Sequence, residues 1–399
     1  MRAFEKFRIP HVGFGYDTAK LTGEKVKYLG GTKCLVVTDQ GVINAGIYEP
    51  IVKTLEEAGI EYVTYDKTLP NPPDYICMEA AEILKKENCD CTIAIGGGSS
   101  IDTAKAANLI ANIEEEIVSL HDYSGTGTKM KPSFNRSVKF LAIPTTSGTG
   151  AEVTVSSVIT DTKLNLKYSF MNENMVADMV IIDPALTMGM PPKPSAVVGL
   201  DALSHALEVV VSVKQNDFSS MLAFDCIERI WKWLPVVYRD PKNVEARSQM
   251  SYAANMAEST GGAANAHCVG HAIGAKYHIV HGHACIMAEP TLIRHHADAS
   301  AENIRKLASI VGVPNIGTNK EVADYVADAV LNFYKSFGLG AFRETMEANG
   351  IHDDKETFTE KLIPAILDDF KSRGWVPGID RPEDRDNLIK VCEMIYDET

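Results

Sequence analysis

Cys91-Thr-Ile-Ala-Ile95-Gly96-Gly97-Gly98-Ser99-Ser100-Ile101-Asp102 runs from an apolar, strand-length segment through three glycines into a helical pattern. A strand that ends on glycines and opens a helix is where an α/β sheet takes an anion. Glycine lets backbone N–H groups approach closely, and the helix N-terminus adds its positive dipole end. The bland alternative is a tight turn with Ser99 as the helix cap. The spacing is not GxGxxG, so the ordinary Rossmann fingerprint is absent.

Outward from this turn the same alternation repeats. Lys33-Cys-Leu-Val-Val-Thr38, Glu61-Tyr-Val-Thr-Tyr65, Val138-Lys-Phe-Leu-Ala-Ile143 and Met179-Val-Ile-Ile182 read as strands. Residues 51–58, 75–86 and 101–112 read as helices. Strands separated by helix-length connections imply βαβ units and a mostly parallel sheet. Past Pro191-Pro-Lys-Pro194 the texture changes, and 197–213, 217–237 and 243–260 carry helical periodicity. The expectation is an α/β dinucleotide-binding domain over residues 1–190 and an all-helical metal- and substrate-binding domain over 191–399.

A second polar loop, Pro144-Thr145-Thr146-Ser147-Gly148-Thr149-Gly150-Ala-Glu152, also follows a strand. Its hydroxyls suit a ribose or phosphate. Two such turns suggest one nucleotide across the carboxyl edge of the sheet. Asp39, closing the strand before it, can accept both ribose hydroxyls and repel a 2′-phosphate, which favours NAD(H) over NADP(H). Its other reading is a turn cap.

Five of eleven histidines, His267, His271, His278, His281 and His283, fall within one short window. Upstream, Asp201 and His205 stand at i and i+4, one turn apart on one helix face. An aspartate with imidazoles suits a divalent ion such as Fe(II) or Zn(II). A straight helix would put residues 267 and 281 roughly 21 Å apart, too far to share an ion. Either the chain turns after Gly274 or His281 is no ligand.

Gly96-Gly-Gly-Ser99-Ser-Ile-Asp102, the Pro144–Glu152 loop, Asp201-Ala-Leu-Ser-His205 and His267-x3-His271-x9-His281-Gly282 together resemble the iron-containing (group III) alcohol dehydrogenases, in matching order from about Phe7 to Asp369. Within that family the chain resembles the lactaldehyde/propanediol oxidoreductases. The resemblance implies a dehydroquinate synthase-like architecture with the site in the cleft between two domains. It implies metal ligands at Asp201, His205, His267 and His281, with Fe(II) favoured over Zn(II). His271 matches a non-ligand histidine near substrate. NAD contacts map to Asp39, Gly97, Gly98, Ser99, Thr145, Thr146, Thr149, Val153, Lys167 and Leu186, and Asp102 stands with them on the first turn. Family members form dimers or larger homo-oligomers.

The implied reaction interconverts a short-chain primary alcohol and its aldehyde. A cation lowers the pKa of the alcohol, hydride passes to the nicotinamide, and His271 relays the proton. Ser156 and Glu258 fall where relatives line the pocket. Lys371 and Arg373 could hold an anionic tail, as in sulfoacetaldehyde or succinic semialdehyde. The alternative is a neutral substrate of the lactaldehyde, propanediol or butanol kind. Rival classes are a dehydroquinate-synthase-like lyase, a polyol-phosphate dehydrogenase, a metallohydrolase with structural glycine loops, and a non-catalytic sensor.

Composition sets the outer bounds. The 399 residues carry a formal charge of −14, with 45% hydrophobic and 23% charged residues. An acidic chain is a poor partner for nucleic acid or an anionic membrane surface. No uninterrupted apolar run reaches the roughly 18 residues that mark a membrane-span candidate. Eight scattered cysteines without a ribbon or redox spacing fit reduced thiols in a cytoplasmic protein.

Overall fold

The computed structural model describes residues 9–113, 117, 120–123, 138–163, 166–212, 216–260, 265–372 and 385–398. They form two compact units that divide between Met190 and Pro191.

The first unit is a six-stranded sheet of β1 (His11–Phe14), β2 (Lys33–Val37), β3 (Glu61–Tyr65), β4 (Cys91–Gly96), β5 (Lys139–Pro144) and β8 (Met179–Ile182). Every pairing is parallel, in the order β1-β8-β5-β4-β2-β3. A parallel sheet is covered on both faces, so its strands read as continuous apolar runs. Leu35, Val37, Ala94, Phe140 and Ala142 face one buried cluster. Their neighbours Val36, Ile93, Ile95, Leu141 and Ile143 face the other. The helices here are α1 (Thr22–Leu29), α2 (Gln40–Asn44), α3 (Tyr48–Glu57), α4 (Asp74–Lys86) and α5 (Gly98–Ala111).

Two elements depart from the sequence reading. β1 pairs with β8 at the sheet edge. β6 (Ser156–Asp161) and β7 (Leu166–Met171) form an antiparallel pair outside the main sheet. Ser157, Ile159 and Asp161 are the buried positions of β6, so the alternation is present but polar residues occupy much of its inner face.

The second unit is helical. Its elements are α6 (Pro192–Val211), α7 (Asp217–Arg239), α8 (Val244–Ser259), α9 (Asn265–Tyr277), α10 (His281–His295), α11 (Ala301–Val311), α12 (Asn319–Lys335), α13 (Phe342–Ala348), α14 (Lys355–Ser372) and α15 (Arg385–Asp397). One large cluster of aliphatic and aromatic side chains forms its core. α6 alone among the described helices is long and apolar enough to cross a membrane, but 83% of its apolar window is buried inside the protein. It is a core helix, and it carries Asp201 and His205.

Candidate nucleotide edge and metal centre

In the first unit, the turns after β2, β4, β5 and β8 all lie at the carboxyl edge of neighbouring strands. This is where open α/β sheets take ligands. Gly97 caps α5, and the helix proper begins at Gly98, so Ser99 lies inside the helix and is not its cap. The two glycine-bearing turns touch. A Cβ on Gly97 would stand 3.4 Å from Thr146 Cγ2, and one on Gly98 would stand 3.1 Å from Thr149 Oγ1. Thr145 donates its backbone N–H to the Gly96 carbonyl at 3.0 Å.

Asp39 caps α2, accepting from the Val42 N–H at 3.0 Å, and accepts the Ser100 hydroxyl at 2.8 Å. It therefore stands between the β2 and β4 turns. Burial pushes the Asp102 carboxyl up to about 7, against the pull of Lys105 and Lys167. Lys105, buried, donates to the Thr154 carbonyl at 2.7 Å and the Ser156 carbonyl at 2.9 Å, so it anchors the start of β6. Ser156 thus opens a strand held by that lysine. Lys167 reaches Asn71 Oδ1 at 3.1 Å. Val153 is buried, and Leu186 packs against the cluster that contains Val36, Ile93 and Ile143.

In the second unit the chain turns sharply between α9 and α10, with His278 in the left-handed region at φ 55°. The turn after Gly274 returns His281 toward His267, as an ion shared by the two would require. Gly282 makes the approach possible. A Cβ there would sit 2.2 Å from the Val197 carbonyl oxygen and 3.0 Å from Asp201 Cβ. Only glycine lets the start of α10 lie against α6.

Asp201 Oδ1 lies 3.5 Å from His267 Nε2 and 3.4 Å from His281 Nε2. Ligand atoms sharing a tetrahedral ion at ~2.1 Å are about 3.4 Å apart. Asp201 Oδ1 and His267 Nε2 are buried and have no hydrogen-bond partner. Buried polar atoms left this way need an explanation, and a divalent cation supplies one. The residues present therefore fit a metal ion. Burial works against ionisation of Asp201, but the imidazoles of His281, His267 and His205 outweigh it and hold the carboxyl well below the usual range.

The other histidines divide. His205 stacks on His267 with centroids 4.1 Å apart and places Nε2 3.1 Å from Glu258 Oε2. His271 places Nδ1 2.9 Å from Asp369 Oδ2 and stacks on His281 at 5.1 Å. His283 turns to the Gly340 carbonyl at 2.8 Å, and His278 serves the turn.

Several participants escape sequence reading. Cys285, one turn after His281, groups its Sγ with Asp201, His267 and His281, all four donor atoms lying within 4.8 Å of one another. Burial pushes its thiol up to about 11. Glu208 is fully buried against His267, and Glu289 is fully buried beside it. Helical spacing could reach Glu208 only through its i+7 place after Asp201 on α6. Nothing in the sequence separates Glu289 or Asp369 from surface acids. Lys371 lies in the last turn of α14, but its side chain and the whole of Arg373 fall outside the described residues.

Two family models match the chain. "Iron-containing alcohol dehydrogenase" covers residues 10–184 and "Fe-containing alcohol dehydrogenase family, C-terminal" covers 195–363. A choline dehydrogenase of Bacillus subtilis is 35% identical over 94% of this chain and 92% of its own length. An NAD-dependent methanol dehydrogenase of Bacillus methanolicus is 33% identical over 82% and 84%. The crystal structure of a 1,3-propanediol oxidoreductase superposes with a TM-score of 0.87 at 26% identity, covering 99% of this chain and all of that one.

Proposed function

This chain belongs to the iron-containing alcohol dehydrogenase family and is an alcohol/aldehyde oxidoreductase; from that premise we propose that it interconverts a short-chain primary alcohol and its aldehyde using NAD(H) and one divalent ion, Fe(II) in the resident state. The observation that carries the metal half is the convergence of Asp201 Oδ1 with His267 Nε2 and His281 Nε2. Asp201, His205, His267 and His281 are the proposed ligands, with Cys285 beside them. When bound, the ion lowers the pKa of the alcohol and NAD+ takes up the hydride.

The chain's own residues do the rest. Asp369 accepts from His271 Nδ1, so Nε2 is the atom free of that bond and able to hold or release the alcohol proton. The turns at Gly97–Ser99 and Thr145–Thr149 would bind the dinucleotide phosphates, with Asp39 at the ribose, and Asp102, Val153, Lys167 and Leu186 around them. NAD(H) is preferred over its phosphorylated form because Asp39 adds a negative charge at that edge. An anionic substrate tail would need a cation against it, and the two residues read for that task are Lys371 and Arg373. Homo-oligomer formation and a cytoplasmic location complete the proposal, the latter supported by eight buried free cysteines.

The test is metal analysis of anaerobically purified protein, followed by an NADH-oxidation screen over short aldehydes. Metal-dependent NADH oxidation is expected. A loaded protein that neither quenches nor shifts NADH fluorescence points instead to hydrolytic metal chemistry and overturns the proposal.

A further inference from the structure

Cys285 stands four residues after His281 on α10, so the two side chains share one helix face. Its Sγ lies 3.6 Å from Nδ1 and 3.8 Å from Nε2 of that imidazole. Asp201 on α6 and His267 on α9 complete a group whose four donor atoms all fall within 4.8 Å of one another. A sulfur at about 2.3 Å and a nitrogen at about 2.1 Å from one tetrahedral ion stand roughly 3.6 Å apart. The separation between Sγ and His281 Nε2 is of that size.

A buried cysteine is ordinarily a small apolar side chain, and the others of this chain are used that way. Cys34 and Cys91 lie in one apolar cluster, Cys77 and Cys89 in a second, and Cys226, Cys268 and Cys392 in the third. Cys285 is fully buried but belongs to none of them. It is grouped instead with Asp201 and His267, whose Oδ1 and Nε2 are buried and have no hydrogen-bond partner. The backbone is shaped for this approach. A Cβ on Gly270, one turn after His267, would stand 2.6 Å from Cys285 Sγ and 2.9 Å from its Cα and its backbone nitrogen. Any side chain at 270 would push Cys285 away from α9.

We propose that Cys285 is a sulfur ligand of the ion, added to the nitrogen and oxygen donors named above, and that it biases the centre toward thiophilic divalent ions and away from Mn(II). The inference rests on the metal-centre reading given above. Cysteine binds a metal as its thiolate, and the proton displaced on binding leaves to solvent. Thiolates favour ions such as Zn(II) and Co(II), whereas Mn(II) is suited by oxygen donors. The sulfur is therefore worth more to the first two ions than to the third.

The test strips the full-length protein with a chelator and titrates it anaerobically with Co(II). One equivalent is expected to bind and to raise a near-ultraviolet sulfur-to-cobalt charge-transfer band. Cys285→Ser, nearly the same size, should bind Co(II) without that band. Its dissociation constant for Zn(II) should rise by about tenfold, while that for Mn(II) should change by less than about twofold. X-ray absorption of the Zn(II)-loaded wild type reads the bond without any variant, as a sulfur scatterer at about 2.3 Å, and decides alone if Cys285→Ser does not fold. Absence of that scatterer, or a cobalt band that survives in Cys285→Ser, overturns the assignment while leaving a centre of nitrogen and oxygen ligands intact. Equal losses of Zn(II) and Mn(II) affinity in Cys285→Ser overturn the bias in metal choice. A wild type that binds none of the three ions takes the metal-centre reading down as well.

Discussion

Glu208 grips His267 twice. Its Oε1 accepts the backbone N–H at 2.9 Å, and its Oε2 lies 2.8 Å from Nδ1. A carboxylate only accepts, so Nδ1 carries the proton of this contact and Nε2 is turned toward Asp201 and His281. The ring is thus fixed in rotation, with Nδ1 committed to Glu208, before any ion arrives. Removing such an outer partner costs metal sites about 10–100-fold in affinity. Glu208→Ala should raise the dissociation constant for Zn(II) or Fe(II) by that factor, read by competition with a chromophoric chelator. Glu208→Gln, which keeps one acceptor oxygen, should lose less. Wild-type affinity in Glu208→Ala would show that the ring is held by packing alone.

Behind that pair stands Glu289, fully buried on α10. Burial pushes its carboxyl well above the ordinary range; Glu208 adds to the shift and His267 opposes it. A carboxyl whose folded-state pKa is raised favours the fold fully below its unfolded value of 4.5. That contribution is lost as pH climbs toward the raised folded value. Glu289→Gln keeps the shape and removes the proton. Its urea midpoint relative to wild type should therefore rise from pH 5 to pH 9. Parallel pH profiles for the two proteins would mean that Glu289 ionises no differently in the unfolded chain.

How far the sequence carries the reading depends on the range over which each signal acts. The parallel sheet was legible because strands buried on both faces are apolar throughout, as Cys34–Val37 and Phe140–Ile143 are. The β6–β7 pair was not, because Ser157 and Asp161 fill buried positions that a hydrophobic pattern would give to aliphatic residues. At the metal centre, the i,i+4 spacing of Asp201 and His205 is local and visible. The acids that orient the rings come from far along the chain: Glu208 is 59 residues from His267, and Asp369 is 98 from His271. A buried carboxylate and a solvated one are the same letter, and only the fold separates them. Cys285 is hidden for another reason, since its partners belong to three helices.

At the sheet edge, Asp39 has two tasks that one substitution can separate. Its side chain caps α2 through the Val42 N–H, and its charge would repel a 2′-phosphate. Serine retains the cap, worth about 1 kcal/mol, and removes the charge. Asp39→Ser is expected to hold its melting temperature and to raise NADPH use relative to NADH by at least tenfold in kcat/KM. An unchanged cofactor ratio would leave Asp39 as a cap only.

His271 and Asp369 supply the last prediction. The 2.9 Å contact between Nδ1 and Asp369 Oδ2 orients an imidazole that stacks on His281. Asparagine at 369 has nearly the same shape but can present an N–H to Nδ1, which favours the opposite tautomer and places the proton on Nε2. If His271 handles the substrate proton through Nε2, Asp369→Asn should lower kcat by about 10²-fold, the lower end of acid–base contributions. KM for the alcohol, metal content and NADH binding should stay within a factor of about three. His271→Ala should show a similar fall in kcat and lose the neutral-pH inflection of the rate profile. A fall in metal content that parallels the fall in rate would assign the pair to holding His281 instead. Full activity in both variants at every pH would remove His271 from the proton path.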